Sequence, residues 1–104
     1  MNIEKKKKNA LITGASRGIG LAIAKEFASA GYDLILTCNN SFDILTVEAH
    51  AISDAYHVNC LPIQANMGNY QDVERLFQNI HDLDILVNNA GISYVGLLLS
   101  LIHI

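Results

Sequence analysis

The stretch Thr13-Gly14-Ala15-Ser16-Arg17-Gly18-Ile19-Gly20 constrains the fold of this chain more than any other. It follows a short apolar run, Ala10-Leu11-Ile12, and opens a segment of helical pattern. A strand, a glycine turn and a helix in that order make a seat for a diphosphate. Gly14 permits a turn that a Cβ would obstruct. Gly18 lets backbone approach an anion closely, and Gly20 lets the helix pack near the strand. The helix N-terminus offers unpaired N–H groups and a partial positive charge. Arg17 can add a full charge.

The rest of the chain supplies alternating strands and helices. A first strand is expected at 9–13 and a first helix from 17 or 18 to 29. Ile19, Ile23 and Phe27 recur every four residues and predict its buried stripe, with Ala22 and Ala30 beside it. Gly31 stops that helix. A second strand at 33–37 is apolar throughout its centre, as a strand covered on both faces should be. A second helix at 42–56 places Leu45, Ala49, Ile52 and Tyr56 on one side. The third strand, 60–65, contains Pro62, which cannot donate to a ladder and so belongs on a sheet edge. Asn69 and Asp72 read as a helix cap with an acid three residues on. Val73, Leu76, Phe77 and Ile80 then form a helical stripe. A fourth strand is expected at 83–88. The fold class is therefore α/β: a Rossmann-like, doubly wound parallel sheet of order 3-2-1-4, ending after the fourth strand. That strand leaves an edge that should pair with a fifth, so marginal stability is expected.

Composition excludes several function classes. With 51% apolar residues among 104, the chain is not a disordered segment. A net charge of −3 argues against a nucleic-acid face. No segment reaches the ~18 apolar residues of a membrane span. Residues 1–8, with the run Lys5–Lys8, read as a flexible basic arm. Cys38 and Cys60 should lie near opposite ends of neighbouring strands, too far apart to bridge, and read as reduced thiols of a cytoplasmic protein. His50, His57, His81 and His103 show no metal-ligand spacing, so no metal is expected.

A second motif, Asn88-Asn89-Ala90-Gly91, follows the apolar run Ile85-Leu86-Val87. Together, T-G-A-S-R-G-I-G and N-N-A-G at this separation resemble the short-chain dehydrogenase/reductase family, and most nearly its 3-oxoacyl-carrier-protein reductases. The resemblance runs from about Asn9 to Leu98. Ile92–Leu98 is also similar to reductases of an aminoketone carried by an elongation factor. The resemblance implies a nicotinamide dinucleotide held at the carboxyl edge of the sheet, in a parent enzyme that is a homo-oligomer. Its substrate would be a small or carrier-bound carbonyl compound or the corresponding alcohol. Gly14, Ser16, Arg17, Gly18, Ile19 and Gly20 would hold the diphosphate. Asn39 and Asn40 would meet the adenosine ribose, and Asn66 and Met67 the adenine. Asn89, Ala90 and Gly91 would line the channel, while Asn88 would tie strands together.

A carboxylate about 20 residues past the glycine turn would select NAD through the ribose 2′-hydroxyl. Asn39 and Asn40 stand there instead, and Arg17 could pair with a 2′-phosphate, so the expectation is NADP rather than NAD. Asn66-Met67 departs from the family's usual Asp-Val. The family's chemistry uses a Ser, and a Tyr followed four positions on by a Lys. Leu98 stands four after Tyr94, so no catalytic residue is expected here. The expected organisation is an NAD(P)-binding half-domain at 9–98 that lacks the reaction machinery and is inactive alone. The six residues 99–104 resemble a translated transposon-end sequence used in sequencing adapters, and are expected to be non-native. A second function class also fits: a stand-alone, non-enzymatic dinucleotide-binding or regulatory module. A third is a structural α/β protein that takes no ligand.

Overall fold

The computed structural model describes residues 7–80 and 82–90. The N-terminal arm up to residue 6, His81, Gly91, Tyr94 with the segment 92–98, and the tail 99–104 lie outside the described residues. The elements run β1 (Asn9–Ile12), α1 (Gly18–Ser29), β2 (Asp33–Cys38), α2 (Phe42–Tyr56), β3 (Cys60–Gln64), α3 (Tyr70–Gln78) and β4 (Ile85–Val87). Every strand pairing is parallel, and the order is β3-β2-β1-β4. The expected topology is the observed one. Pro62 sits on the edge strand β3, opposite Leu36, where one side of its backbone needs no partner.

Side-chain alternation along the strands divides the core in two. Ala10, Ile12, Leu34 and Leu36 pack with Ala24 and Ala28 of α1 and with Leu45, Ala49 and Ile52 of α2. Leu11 and Ile35 belong to a second cluster, with Val73, Leu76 and Phe77 of α3 and with Ile80 and Leu83 beyond it. Burying each large side chain contributes about 1.5–3 kcal/mol. The stripe predicted for α3 is buried as expected, although Ile80 lies two residues past the helix end.

The stripe predicted for α1 is not. Ile19 is 72% exposed, Ile23 and Phe27 are only half-buried, and Ala22 and Ala30 face solvent. The buried residues are Gly20, Ala24 and Ala28. Period counting favours large apolar residues, but α1 lies too close to β1 to admit them. Phe27 instead meets Tyr32 edge-on, with ring centroids 5.1 Å apart. On α2, Leu45, Ala49 and Ile52 are buried as expected, while Tyr56 at the helix end is 38% exposed.

The foot of the sheet is pinned by polar contacts. Lys7 Nζ pairs with Asp33 at 3.1 Å, and the Asp33 N–H donates to Lys8 O at 2.9 Å. Lys7 and Lys8, read as part of the arm, are thus tied to the start of β2. Burial alone would raise the Asp33 carboxyl, but hydrogen bonds from Asn59 and Lys7 outweigh it and hold the group below its ordinary value. Cys38 ends β2 and Cys60 begins β3, with Cys38 opposite Gln64 in the ladder. Both are free thiols, as their spacing predicts. Burial pushes both upward, Cys60 to about 11.

Candidate functional site

The turn after β1 is built from two glycines in left-handed backbone, Gly14 at φ +64° and Gly18 at φ +62°. A residue with a side chain would be strained at either place. The turn is anchored across the sheet by Ala15 N–H, which donates to Thr37 O at 2.9 Å. A Cβ at Gly18 would meet nothing within 4 Å, so the backbone there is open to an occupant. At Gly20 the reverse holds. A Cβ would overlap the Gly14 carbonyl oxygen and stand 2.7 Å from Asn89 Nδ2. Gly20 is required for packing, Gly18 for the conformation it adopts.

Helix α1 starts with Arg17 as its N-cap, whose side chain makes no capping hydrogen bond among the described residues. Its first turn holds no acidic residue. The leading N–H groups of a 12-residue helix therefore remain for an anion. The Arg17 side chain leaves the turn and donates from Nη2 to Ser41 Oγ at 2.9 Å. That contact sets its guanidinium beside the turn after β2, which holds Asn39 and Asn40.

The loop after β4 closes onto the same place. Thr13 N–H donates to Val87 O at 3.1 Å, and Thr13 Oγ1 donates to Asn88 Oδ1 at 3.2 Å. Ala90 N–H donates back to Thr13 Oγ1 at 3.1 Å. Asn88 thus joins β4 to β1, as its expected role requires. Asn89 Nδ2 donates to Gly14 O at 2.9 Å and braces the glycine turn directly.

Between these loops lies a cavity of about 290 Å³, lined by Gly14, Thr37, Cys38, Asn39, Ala65, Asn66, Met67, Gly68 and Ala90. All nine lie at or just beyond the carboxyl ends of strands, where open parallel sheets bind ligands. Of the residues singled out from sequence, Gly14, Asn39, Asn66, Met67 and Ala90 line it. Ser16, Arg17, Gly18, Ile19 and Gly20 form the adjoining turn and helix start, and Asn40 sits exposed in the turn after β2. Asn89 buttresses the glycine turn, and Gly91 lies outside the described residues.

Sequence reasoning missed Thr13, Thr37, Ala65 and Gly68. For Thr37 a signal existed: a hydroxyl ending an otherwise apolar run, Leu34-Ile35-Leu36. Its Oγ1 is buried with no hydrogen-bond partner among the described residues, a state that costs about 1–3 kcal/mol. Gly68 enters the site through its backbone: its N–H donates to Asn66 Oδ1 at 2.9 Å. Asp72 completes that turn by accepting from Asn66 N–H at 2.8 Å. Among the described residues no group of three His, Cys, Asp or Glu could hold a metal ion. None of the described helices is long and apolar enough to cross a membrane.

A parallel sheet of order 3-2-1-4, with a glycine turn and an uncapped helix at the carboxyl edge of a central strand, defines a Rossmann-like α/β domain. Comparison with known proteins narrows the class. The family model for short chain dehydrogenase matches residues 8–101, and the chain belongs to that family. It is 38% identical over 97 residues to the 3-oxoacyl-[acyl-carrier-protein] reductase FabG of Aquifex aeolicus, covering 89% of this chain and 39% of that protein. The FabG of Staphylococcus aureus is 37% identical over 98 residues, covering 90% and 39%. Among solved structures, L-sorbose reductase from Gluconobacter frateurii with NADPH and L-sorbose superposes with a TM-score of 0.76 at 34% identity, covering 83% of this chain and 34% of that one. A short-chain dehydrogenase from Sphingobium yanoikuyae with NADPH gives 0.73 at 35% identity, covering 83% and 35%. The chain thus spans 39% of the length of the curated relatives it matches.

Proposed function

We propose that this chain is the cofactor-binding part of an NAD(P)-dependent oxidoreductase, and that the whole protein reduces a carbonyl compound or oxidises an alcohol. One observation carries the reading. The open glycine turn, the uncapped start of α1 and the 290 Å³ cavity meet on one sheet edge. A dinucleotide needs what they supply together: N–H groups to seat its diphosphate and, beside them, a pocket for its base. Membership of the family and the NADPH-bound relatives support it.

The residues divide the work by their chemistry. The backbone from Gly14 to Gly20 presents N–H groups to the diphosphate, and the exposed Ile19 shields it from water. Asn39, Asn66 and Met67 receive the adenosine half, while Ala90 borders the way toward the nicotinamide. Asn89 holds Gly14 in place. When bound, the cofactor donates or accepts a hydride. In this reading the chain contributes the cofactor seat, and the proton-transfer groups belong to the rest of the protein.

NADP is the favoured form. No carboxylate occupies the turn 39–41, and Ser41 steers Arg17 toward it. A guanidinium there pairs with a 2′-phosphate. Two free thiols suit a reducing, cytoplasmic setting. The test is a fluorescence titration with NADPH and NADH. Saturable NADPH binding is expected, and Arg17→Ala should weaken it about tenfold, the loss of one charge-assisted contact, while leaving NADH unchanged. Absence of saturable binding by either dinucleotide refutes the proposal.

A further inference from the structure

We infer that the outer face of α2 docks a second copy of this chain, so that two chains pair through antiparallel α2 helices about a twofold axis at Val47. The inference stands apart from the dinucleotide reading. One side of α2 buries Leu45, Ala49 and Ile52. The solvent side of such a helix should be polar. Instead Ile44, Val47, Ala51 and Ala55 form a second apolar stripe, at spacings of three, four and four. No described residue covers it: Ile44 is 44% exposed and Val47 66%, and Ala51 and Ala55 are exposed too.

The relief of that face matches itself. An open depression of about 530 Å³ is lined by Thr46, Val47, His50, Ala51 and Asp54. Val47, His50, Ala51 and Asp54 stand at i, i+3, i+4 and i+7, the four corners of a hole that receives a knob from a facing helix. The small side chain of Ala51 leaves room in it. Ile44 is an apolar knob on the same helix, about 10 Å from the centre of the hole at ~1.5 Å per residue. Val47 lies midway between them. A twofold axis there sets α2 against an antiparallel copy, with each Ile44 in the other's hole and the two Val47 side chains in contact.

Charge follows the same symmetry. Asp43, His50 and Asp54 share one flank of the stripe. Under this rotation position 43 falls opposite position 50, so each Asp43 carboxylate meets the imidazole of the second copy, an N–H donor. That imidazole already leans on its own Asp54, with Nε2 3.7 Å from the carboxylate. On the other flank Lys25 and Glu48 line one groove, which keeps a cation beside the Glu48 carboxylates where the copies approach. A parallel pairing would set Asp43 against Asp43 and His50 against His50. An unrelated partner would call for the knob or the hole, not both at equal distances from one residue. One helix against one helix buries less than the about 1,200 Å² of stable interfaces, so the dimer forms reversibly with concentration. Because α2 begins at the carboxyl edge of the sheet, antiparallel helices put the two glycine turns at opposite ends, where both stay open.

The experiment follows the mass of the unaltered chain by sedimentation velocity as concentration rises, and a shift from one chain to two is expected. Val47→Lys places like charges together on the axis and should weaken dimerisation at least about tenfold, with an unchanged circular dichroism spectrum because Val47 is exposed. Val47→Cys should form a covalent dimer in oxidised glutathione at least about tenfold faster than Gln71→Cys, since a disulfide needs Cα atoms within about 7 Å. Gln71 is exposed on α3, which packs on the opposite face of the sheet. The inference is overturned by a chain that stays single at every concentration, by an association that Val47→Lys leaves unchanged, as pairing through the β4 edge would be, or by equal cross-linking at the two cysteines. Cross-linking and the unaltered chain decide the matter should Val47→Lys fail to fold.

Discussion

Replacing Gly20 by Ala tests the contact that sets the whole carboxyl edge. The new methyl would overlap the Gly14 carbonyl oxygen, with the Gly14 carbonyl carbon 2.9 Å away and Asn89 Nδ2 at 2.7 Å. The first two are backbone and cannot swing aside. Relief requires α1 to lift from β1, or the Gly14 turn to move. Either displacement disrupts the 2.9 Å bond from Ala15 N–H to Thr37 O and the 2.9 Å bond from Asn89 Nδ2 to Gly14 O. Those two are worth about 1 kcal/mol each. Overpacking adds about 1–3 kcal/mol, while the better helix propensity of Ala returns about 1 kcal/mol. The net expectation is a loss of about 2–4 kcal/mol. Each kcal/mol moves Tm by about 4–8 °C in a domain of this size, so Tm should fall by at least about 8 °C. Circular dichroism melts and urea titrations measure it. Gly18→Ala is the comparison, since no atom obstructs it but φ is +62°; it should cost only the left-handed penalty of about 1–2 kcal/mol. A Gly20→Ala chain as stable as the unaltered one, or more stable, refutes the close-approach argument.

Two further outcomes follow from the polar contacts. Asn69 Oδ1 accepts from Asp72 N–H at 3.1 Å as the cap of α3, so Asn69→Ala should cost about 1 kcal/mol in urea denaturation. It should also weaken NADPH binding, because Asp72 anchors the Asn66 turn from that helix start. The Asp33 carboxyl is held below its ordinary value in the folded chain, so folding favours its ionised form. That stabilisation is complete above the unfolded value near about 4 and fades as pH falls through the lowered folded value. The stability gap between the unaltered chain and Asp33→Asn, from urea midpoints at pH 7 and pH 3, should shrink at the lower pH. An unchanged gap rules out a contribution from Asp33 ionisation.

Much of the architecture was legible before any coordinates. Four short apolar strands alternating with helical periods can hardly be arranged except as a parallel sheet with crossovers. Pro62 selected its edge by lacking an N–H. The Asn69 cap and the α3 stripe were local signals, and local signals survive folding. The glycine turn was legible for the same reason, since left-handed backbone at Gly14 and Gly18 admits few other residues.

Long-range distance was decided by the tertiary structure. Periodicity nominated Ile19, Ile23 and Phe27 for the core, but the approach of α1 to β1 gave that place to Gly20, Ala24 and Ala28. Hydropathy cannot encode how near two backbones come. Nor can a sequence state that Asn89 braces a glycine 75 residues away, or that Thr37 and Gly68 share a wall with Asn66. Those pairings exist only once β1 lies between β2 and β4 and brings separate loops to one edge.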